Sequence, residues 1–312
     1  MNKRMRTPAN SRNSKVAVVT DSAAALSADL ITEHELYVAR MEITINGKTY
    51  VDGSNGDLDD FYSQLTESSE VPTTSAPRPS EYLEQFHAAA EKSDSIFCVS
   101  LSARLSAAYD SALVASEAFE KERPGTTVRV FDSETAASSQ ALIVLAAARA
   151  AAGGGRLEEV ENVARTVAGK VRLLAVLDTL HYIHRSGRVP KIAVWATNAL
   201  NIKPVMEYSV RNIGAIARPR STRRALERIQ KEMLGDLGGK IAHVNVMHAG
   251  AADRAEGLRT WASENLNCAE LFITQFHPFM GAHTGPGLVG ASWWAGVSGS
   301  IGRSPLPARE RV

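Results

Sequence analysis

Short apolar runs alternate with stretches of helical spacing along the first half of the chain. Val16-Ala17-Val18-Val19-Thr20, Ile96-Phe97-Cys98-Val99-Ser100 and Val128-Arg129-Val130-Phe131 read as buried strands. Between them, Leu26, Leu30 and Ile31 mark one helix. Tyr82, Leu83, Phe86 and Ala90 mark a second, with Ser80 as its cap, and Ala108, Ala112, Ala115 and Phe119 a third. This alternation predicts a parallel sheet covered on both faces, with its loops gathered at the carboxyl edge. Residues 37–45 and 48–51 flank Asn46-Gly47, a strong hairpin signal. Residues 57–65 predict a helix, and residues 71–79, with three prolines, a stiffened loop.

The pattern changes after an alanine-rich helix around 141–148, which Gly153-Gly154-Gly155 ends, and a further helix at 157–170. Strands are predicted at 173–177, 202–208, 213–217, 241–246 and 271–276, the last of these being the final clear strand. Helices are predicted at 179–185, stopped by Gly187, at 222–234, capped by Ser221, and at 252–265. Fewer strand-helix-strand units and a paired-strand pattern point to a mixed or antiparallel sheet. The expectation is an α/β protein of two domains. Residues 1–14 form a disordered tail. Residues 15–170 form an N-terminal, Rossmann-like parallel sheet with flanking helices, residues 171–312 a C-terminal α/β domain, and the ligand cleft lies between them.

Composition narrows the function. Of 312 residues 44% are hydrophobic and 22% charged, which is ordinary for a globular protein with a full core. A formal net charge of +1 gives no long-range field for nucleic acid, and 6% aromatic residues give no stacking surface. Cys98 and Cys268, the only cysteines, form neither a disulfide framework nor a metal knuckle, so no metal is expected and a reducing cytoplasm fits. Residues 1–14 carry Lys3, Arg4, Arg6 and Arg12 but no apolar run follows, so they do not read as a signal peptide. The alanine-rich helix is far shorter than the roughly 20 residues that cross a bilayer.

The candidate chemistry lies late in the chain. Residues 276–290 hold His283 beside Thr284-Gly285-Pro286-Gly287, after an apolar strand. Gly285 to Gly290 satisfies G-x-G-x-x-G, but a loop separates it from the strand, and only Glu310 supplies a late carboxylate. The dinucleotide context is missing. A tight structural turn or a ligand-facing loop remains. Hydroxyls recur at the carboxyl edges of the first sheet, as Thr74-Ser75 in the proline-rich loop and Ser106 at a helix start. Each is also explained by capping or turn chemistry. With His283 they suit a single carboxylate or small phosphate and are too few for a nucleoside triphosphate.

These residues resemble the DegV family of bacterial fatty-acid-binding proteins. The resemblance is carried by Val18-Val19-Thr20-Asp21-Ser22, Tyr50-Val51-Asp52-Gly53, Thr74-Ser75-Ala76-Pro77, Leu105-Ser106-Ala107-Ala108-Tyr109, Phe131-Asp132-Ser133, Arg185-Ser186-Gly187-Arg188-Val189, Ile202-Lys203-Pro204-Val205 and His283-Thr284-Gly285-Pro286-Gly287. Their order and spacing together are specific. Ala107-Ala108 stand where the family pattern has Gly-Thr, which removes one hydroxyl.

The resemblance implies a fatty acid between two domains, its carboxylate held by Thr74, Ser75, Ser106 and His283, with Ala107, Thr284 and Gly285 as further pocket or loop positions. It also implies a non-catalytic role. The lipid is the only expected ligand, with no cofactor, and its carboxylate is presented to a separate ATP-binding fatty acid kinase subunit. Arg188 and Arg220, in a cluster of basic residues, are candidates for docking that partner or acidic lipid headgroups, with transient membrane contact. Two alternatives stand beside this reading. One is a stand-alone lipid sensor or shuttle. The other is a serine hydrolase of lipid esters using Ser106, His283 and Asp132, although the chain has no G-x-S-x-G elbow.

Overall fold

The structure, a computed structural model, describes residues 15–53, 58–68, 70–189, 202–209 and 212–296. The first half runs β1 (Val16–Asp21), α1 (Ala28–Glu33), β2 (Tyr37–Ala39), β3 (Glu42–Ile45), β4 (Lys48–Val51), α2 (Leu58–Glu67), β5 (Thr73–Ser75), α3 (Pro79–Ala89), β6 (Ser95–Ser100), α4 (Ala108–Glu122), β7 (Thr127–Asp132), α5 (Ala137–Ala152) and α6 (Leu157–Ala168). The second half runs β8 (Arg172–Val176), α7 (His181–Ser186), β9 (Val205–Tyr208), β10 (Ile213–Ala217), α8 (Thr222–Leu237), β11 (Ile241–His248), α9 (Ala252–Asn265), β12 (Asn267–Gln275), α10 (Pro278–Thr284) and β13 (Val289–Ala295).

The expected parallel sheet is present, in the order β2-β1-β6-β7, with registers such as Val19 opposite Cys98 and Cys98 opposite Val130. A six-stranded mixed sheet follows, ordered β10-β9-β8-β13-β11-β12, in which only β11 and β12 run parallel. A small antiparallel sheet, β4-β3-β5, makes a third layer.

Helix α5 explains how the two large sheets meet. Its run Ala141 to Ala148 is apolar on every side, and a helix of that kind must be buried all round. It packs on β1 and β6 of the parallel sheet and on β8, β11 and β13 of the mixed sheet. Alanine lets both sheets come close. Polar residues at the start of α5 fasten it to each. Ser138 and Ser139 bond to Ser292 of β13 at 2.6 and 2.9 Å, and Gln140 donates to Asp21 of β1 at 3.0 Å.

Several expectations are corrected. The strand expected over 37–45 divides at Arg40-Met41, so that β2 joins the parallel sheet and only β3 pairs with β4 across Asn46-Gly47. The proline-rich loop contains β5, whose Thr74 lies opposite Ile43. The cap of α3 is Arg78, whose N–H donates to Glu81 at 2.6 Å, with Ser80 already inside the first turn. Residues 278–284 form a helix rather than a loop. The last strand is not the one ending near residue 276, because β13 follows and sits in the middle of the mixed sheet. Ser221 does cap α8, accepting from Arg224 N–H at 3.4 Å, and Gly187 ends α7 in the left-handed conformation. The expectations for residues 1–14, Asp57 and Glu310 fall outside the described residues.

Candidate functional site

Alternation along β8 decides which side chains face the seam between the sheets. Leu174 and Val176 point into the core under α8 and α9, while Leu173, Ala175 and Leu177 point the other way and line a cavity of about 120 Å³. Met206 and Tyr208 of β9, Met247 of β11, Ala136 and Ala137 at the start of α5, and Leu101 and Leu105 after β6 complete its apolar wall. Helix α10 closes one side with Phe279, Met280, His283 and Thr284.

A second cavity, about 290 Å³ and polar, is lined by Thr73 and Thr74 of β5, by Glu70, and by Tyr182, Arg185 and Ser186 of α7. His283 and Arg188 line both cavities, so these two residues form the boundary between a greasy space and a wet one. Arg188 Nη1 donates to the carbonyl of Leu105 at 3.0 Å, which ties the boundary to the loop that precedes α4. The His283 ring meets Phe279 edge-on at 5.3 Å. Burial, with the Arg188 guanidinium adding to it, pushes the His283 pKa down to about 4. The imidazole is therefore neutral at pH 7, with one N–H to donate and one nitrogen to accept.

The residues singled out in the sequence are brought together unevenly. Thr74 and His283 share the polar cavity, and Thr284 lines the apolar one, its hydroxyl donating to Met280 O at 3.0 Å. Ser106 is half-buried beside Leu105, and its Oγ accepts from Ala108 N–H at 3.2 Å. Ser75 and Ala107 are exposed. Arg220 is exposed as well, and it lines neither cavity, unlike Arg188. Gly285 and Gly287 serve packing rather than a ligand. Both have positive φ, 74° and 86°, and a Cβ on either would lie 2.1 Å from Tyr182 or from Asp178. Asp132, the third member of the hydrolase alternative, accepts from the backbone N–H groups of Ala103 and Glu134.

The match to known proteins covers almost all of this architecture. Residues 15–296 match the family described as "Uncharacterised protein, DegV family". The chain belongs to the DegV family. A DegV domain-containing protein of Streptomyces coelicolor is 30% identical over 277 residues, 88% of this chain and 96% of its own. The fold is that of a DegV family protein from Thermus thermophilus described by its fatty acid binding, with a TM-score of 0.83 and 25% identity over 90% of this chain and 99% of that one. DegV of Bacillus subtilis, described as a fatty acid binding protein, shares the fold at a TM-score of 0.79 and 23% identity, again over 90% and 99% of the two chains.

Two features of this DegV site escaped the sequence. The first is that Arg188 faces the cavities, because the left-handed turn at Gly187 reverses the chain after α7. The second is Asp52, legible only as part of the Tyr50 to Gly53 motif, which reaches α10 across the molecule. Among the described residues no group of three or more His, Cys, Asp or Glu side chains could hold a metal ion, and no helix is long and apolar enough to cross a membrane.

Proposed function

We propose that this protein holds a long-chain fatty acid in the apolar cavity, tail between the two sheets and carboxylate at the His283–Arg188 boundary, and presents that head to a separate ATP-dependent kinase subunit. On this reading the parallel and mixed sheets belong to two domains that meet near residue 170. The observation that carries the reading is the shared wall, where one imidazole and one guanidinium separate a carbon-lined space from a polar one. The fatty acid binding of the Thermus thermophilus relative supports the choice of ligand.

The energetics agree. A palmitate-length tail has about 15 carbons beyond the carboxyl, and at about 0.8 kcal/mol for each buried methylene the gross gain is roughly 12 kcal/mol. Immobilisation removes several kcal/mol of that, leaving affinity in the micromolar range or better. A buried carboxylate is costly unless paired. Arg188 offers the charge, and the neutral His283 and the Thr74 hydroxyl offer donors, with Ser106 close by through Leu105. The head group thus selects which end of the lipid sits at the rim, and the tail supplies the affinity.

Mass spectrometry of an organic extract of the purified protein tests the ligand, and a fatty acid at near-stoichiometric amount is expected. Adding a fatty acid kinase subunit and ATP tests presentation. Acyl phosphate formation supports it, whereas a retained and unphosphorylated acid favours a stand-alone sensor or shuttle. Ester hydrolysis by the pure protein, lost in Ser106→Ala, would replace both with the hydrolase reading.

A further inference from the structure

Helix α10 places four residues in the wall of the apolar cavity, His283 among them, yet its own sequence does little to hold it. It is seven residues long, its first residue Pro278 has no N–H, and His277 at the cap position makes no side-chain bond to it. The first N–H the helix has to offer, that of Phe279, goes to Asp52 Oδ1 at 2.8 Å, from a residue 227 positions earlier in the chain.

Asp52 is itself fixed. It is fully buried, its other oxygen accepts from the Ser22 hydroxyl at 3.1 Å, and its N–H donates to Met41 O at 2.9 Å. Ser22 Oγ in turn accepts from Met41 N–H at 3.0 Å. A second hold comes from α2. Tyr62 donates to Phe276 O at 3.1 Å, and its hydroxyl lies 2.6 Å from where a Cβ on Gly281 would stand, so α2 and α10 are in contact without slack.

We propose that Asp52 is a positioning residue of the head-group site: by holding Phe279 it sets where α10 carries His283, without touching the lipid itself. The inference rests on the fatty-acid reading above. A buried carboxylate is an expensive way to fill space, and an apolar side chain would pack more cheaply. Burial pushes the Asp52 pKa up to about 7, against the Phe279 and Ser22 hydrogen bonds. Asp21 on β1 adds to the rise and Arg40 opposes it. A small cavity of about 50 Å³ beside Asp52 is lined by Asp21, Arg40 and His277, and Tyr62 faces it from α2. Asp52 therefore changes charge near neutral pH, and the bond to Phe279 is stronger when the carboxylate is ionised.

The test compares palmitate with hexadecanol, which share a tail and differ in the head. Each displaces a dansyl-labelled fatty acid from the full-length wild type, Asp52→Ala and Asp52→Asn, across about pH 6 to 8. In Asp52→Ala the affinity for palmitate falls about tenfold, while that for hexadecanol stays within about twofold. Asp52→Asn keeps an acceptor for Phe279 and so retains most palmitate affinity, but loses the step near pH 7 that the wild type shows for palmitate alone. Equal loss of both lipids in Asp52→Ala, or no loss of either, overturns the proposal. Should Asp52→Ala not fold, Asp52→Asn decides, and a step that persists in it overturns the proposal. A wild type that holds neither lipid overturns the fatty-acid reading itself, which is a different result.

Discussion

Arg149 on α5 and Glu270 on β12 meet across the seam between the two large sheets, Nη1 standing 2.9 Å from Oε2, with both side chains almost wholly buried. His243 adds its Nδ1 to the same carboxylate oxygen at 3.0 Å, and its ring stacks on Trp294 at 4.3 Å. Removing the guanidinium leaves a buried carboxylate with half its partners. Arg149→Ala is expected to lower unfolding free energy by about 3–5 kcal/mol. Chemical denaturation measures this, and a loss below about 1 kcal/mol would show the cluster to be dispensable.

The same cluster has a pH signature. Burial pushes the Glu270 pKa up, but the His243 and Arg149 hydrogen bonds outweigh it and hold the carboxyl below the usual glutamate range. A lowered acid contributes stability above its unfolded pKa, about 4.3, and loses it as pH falls through the folded value. Below about pH 4.3 the Tm of the wild type is expected to fall more steeply than that of Glu270→Gln. Parallel curves would remove Glu270 from the acid limb.

His283 sets a second window. With its folded pKa down at about 4, the unfolded chain takes up the proton first, so this residue's contribution is complete above about pH 6.5 and declines as pH falls towards 4. Ring nitrogen shifts of the lipid-free protein should report a neutral imidazole at pH 6. A ring titrating near 6.5 would mean the site is more open than described.

Turn geometry gives a third expectation. Gly285→Ala and Gly287→Ala each add a Cβ at positive φ and drive it into Tyr182 or Asp178, 2.1 Å away. Each change is expected to cost about 2 kcal/mol or more, from backbone strain plus collision. Unchanged denaturation midpoints would mean that the loop relaxes freely.

Cavity shape gives a fourth. Ala175 faces the apolar space from β8, between Leu173 and Leu177. Ala175→Leu takes up room for about two or three methylenes, near 2 kcal/mol of burial. Palmitate affinity should drop by more than tenfold while laurate affinity holds, in a displacement titration. Equal effects on both chains would place the tail elsewhere.

Much of the fold was legible because its strands are apolar runs of the right length. Residues 16–20, 96–100 and 128–131 reappear as β1, β6 and β7, and Gly187 and Ser221 mark helix ends as expected. What was missed has local causes. Pro72 and Pro77 disguise β5, whose pairing to β3 is decided by tertiary contact. Pro278 and Gly281 disguise α10, which depends on Asp52 and Tyr62 far away in sequence. Val289 to Ala295 follows directly on the glycine turn and carries Gly290 and Ser292, so it reads as more loop until its neighbours β8 and β11 are known. At the site, the residue types of Thr74 and His283 suggested an acid-binding rim. The position of Arg188 did not follow from them, because it is set by the reversal after α7.

The placement of β13 bears on how the molecule comes off the ribosome. Strands β8, β9 and β10 lie on one side of it and β11 and β12 on the other. Until residues 289–295 emerge, the mixed sheet is two separate ribbons with unpaired inner edges, so a nascent chain stopped short of β13 presents open, sticky strands to chaperones. Closure of this half of the protein waits for one of its latest-made segments.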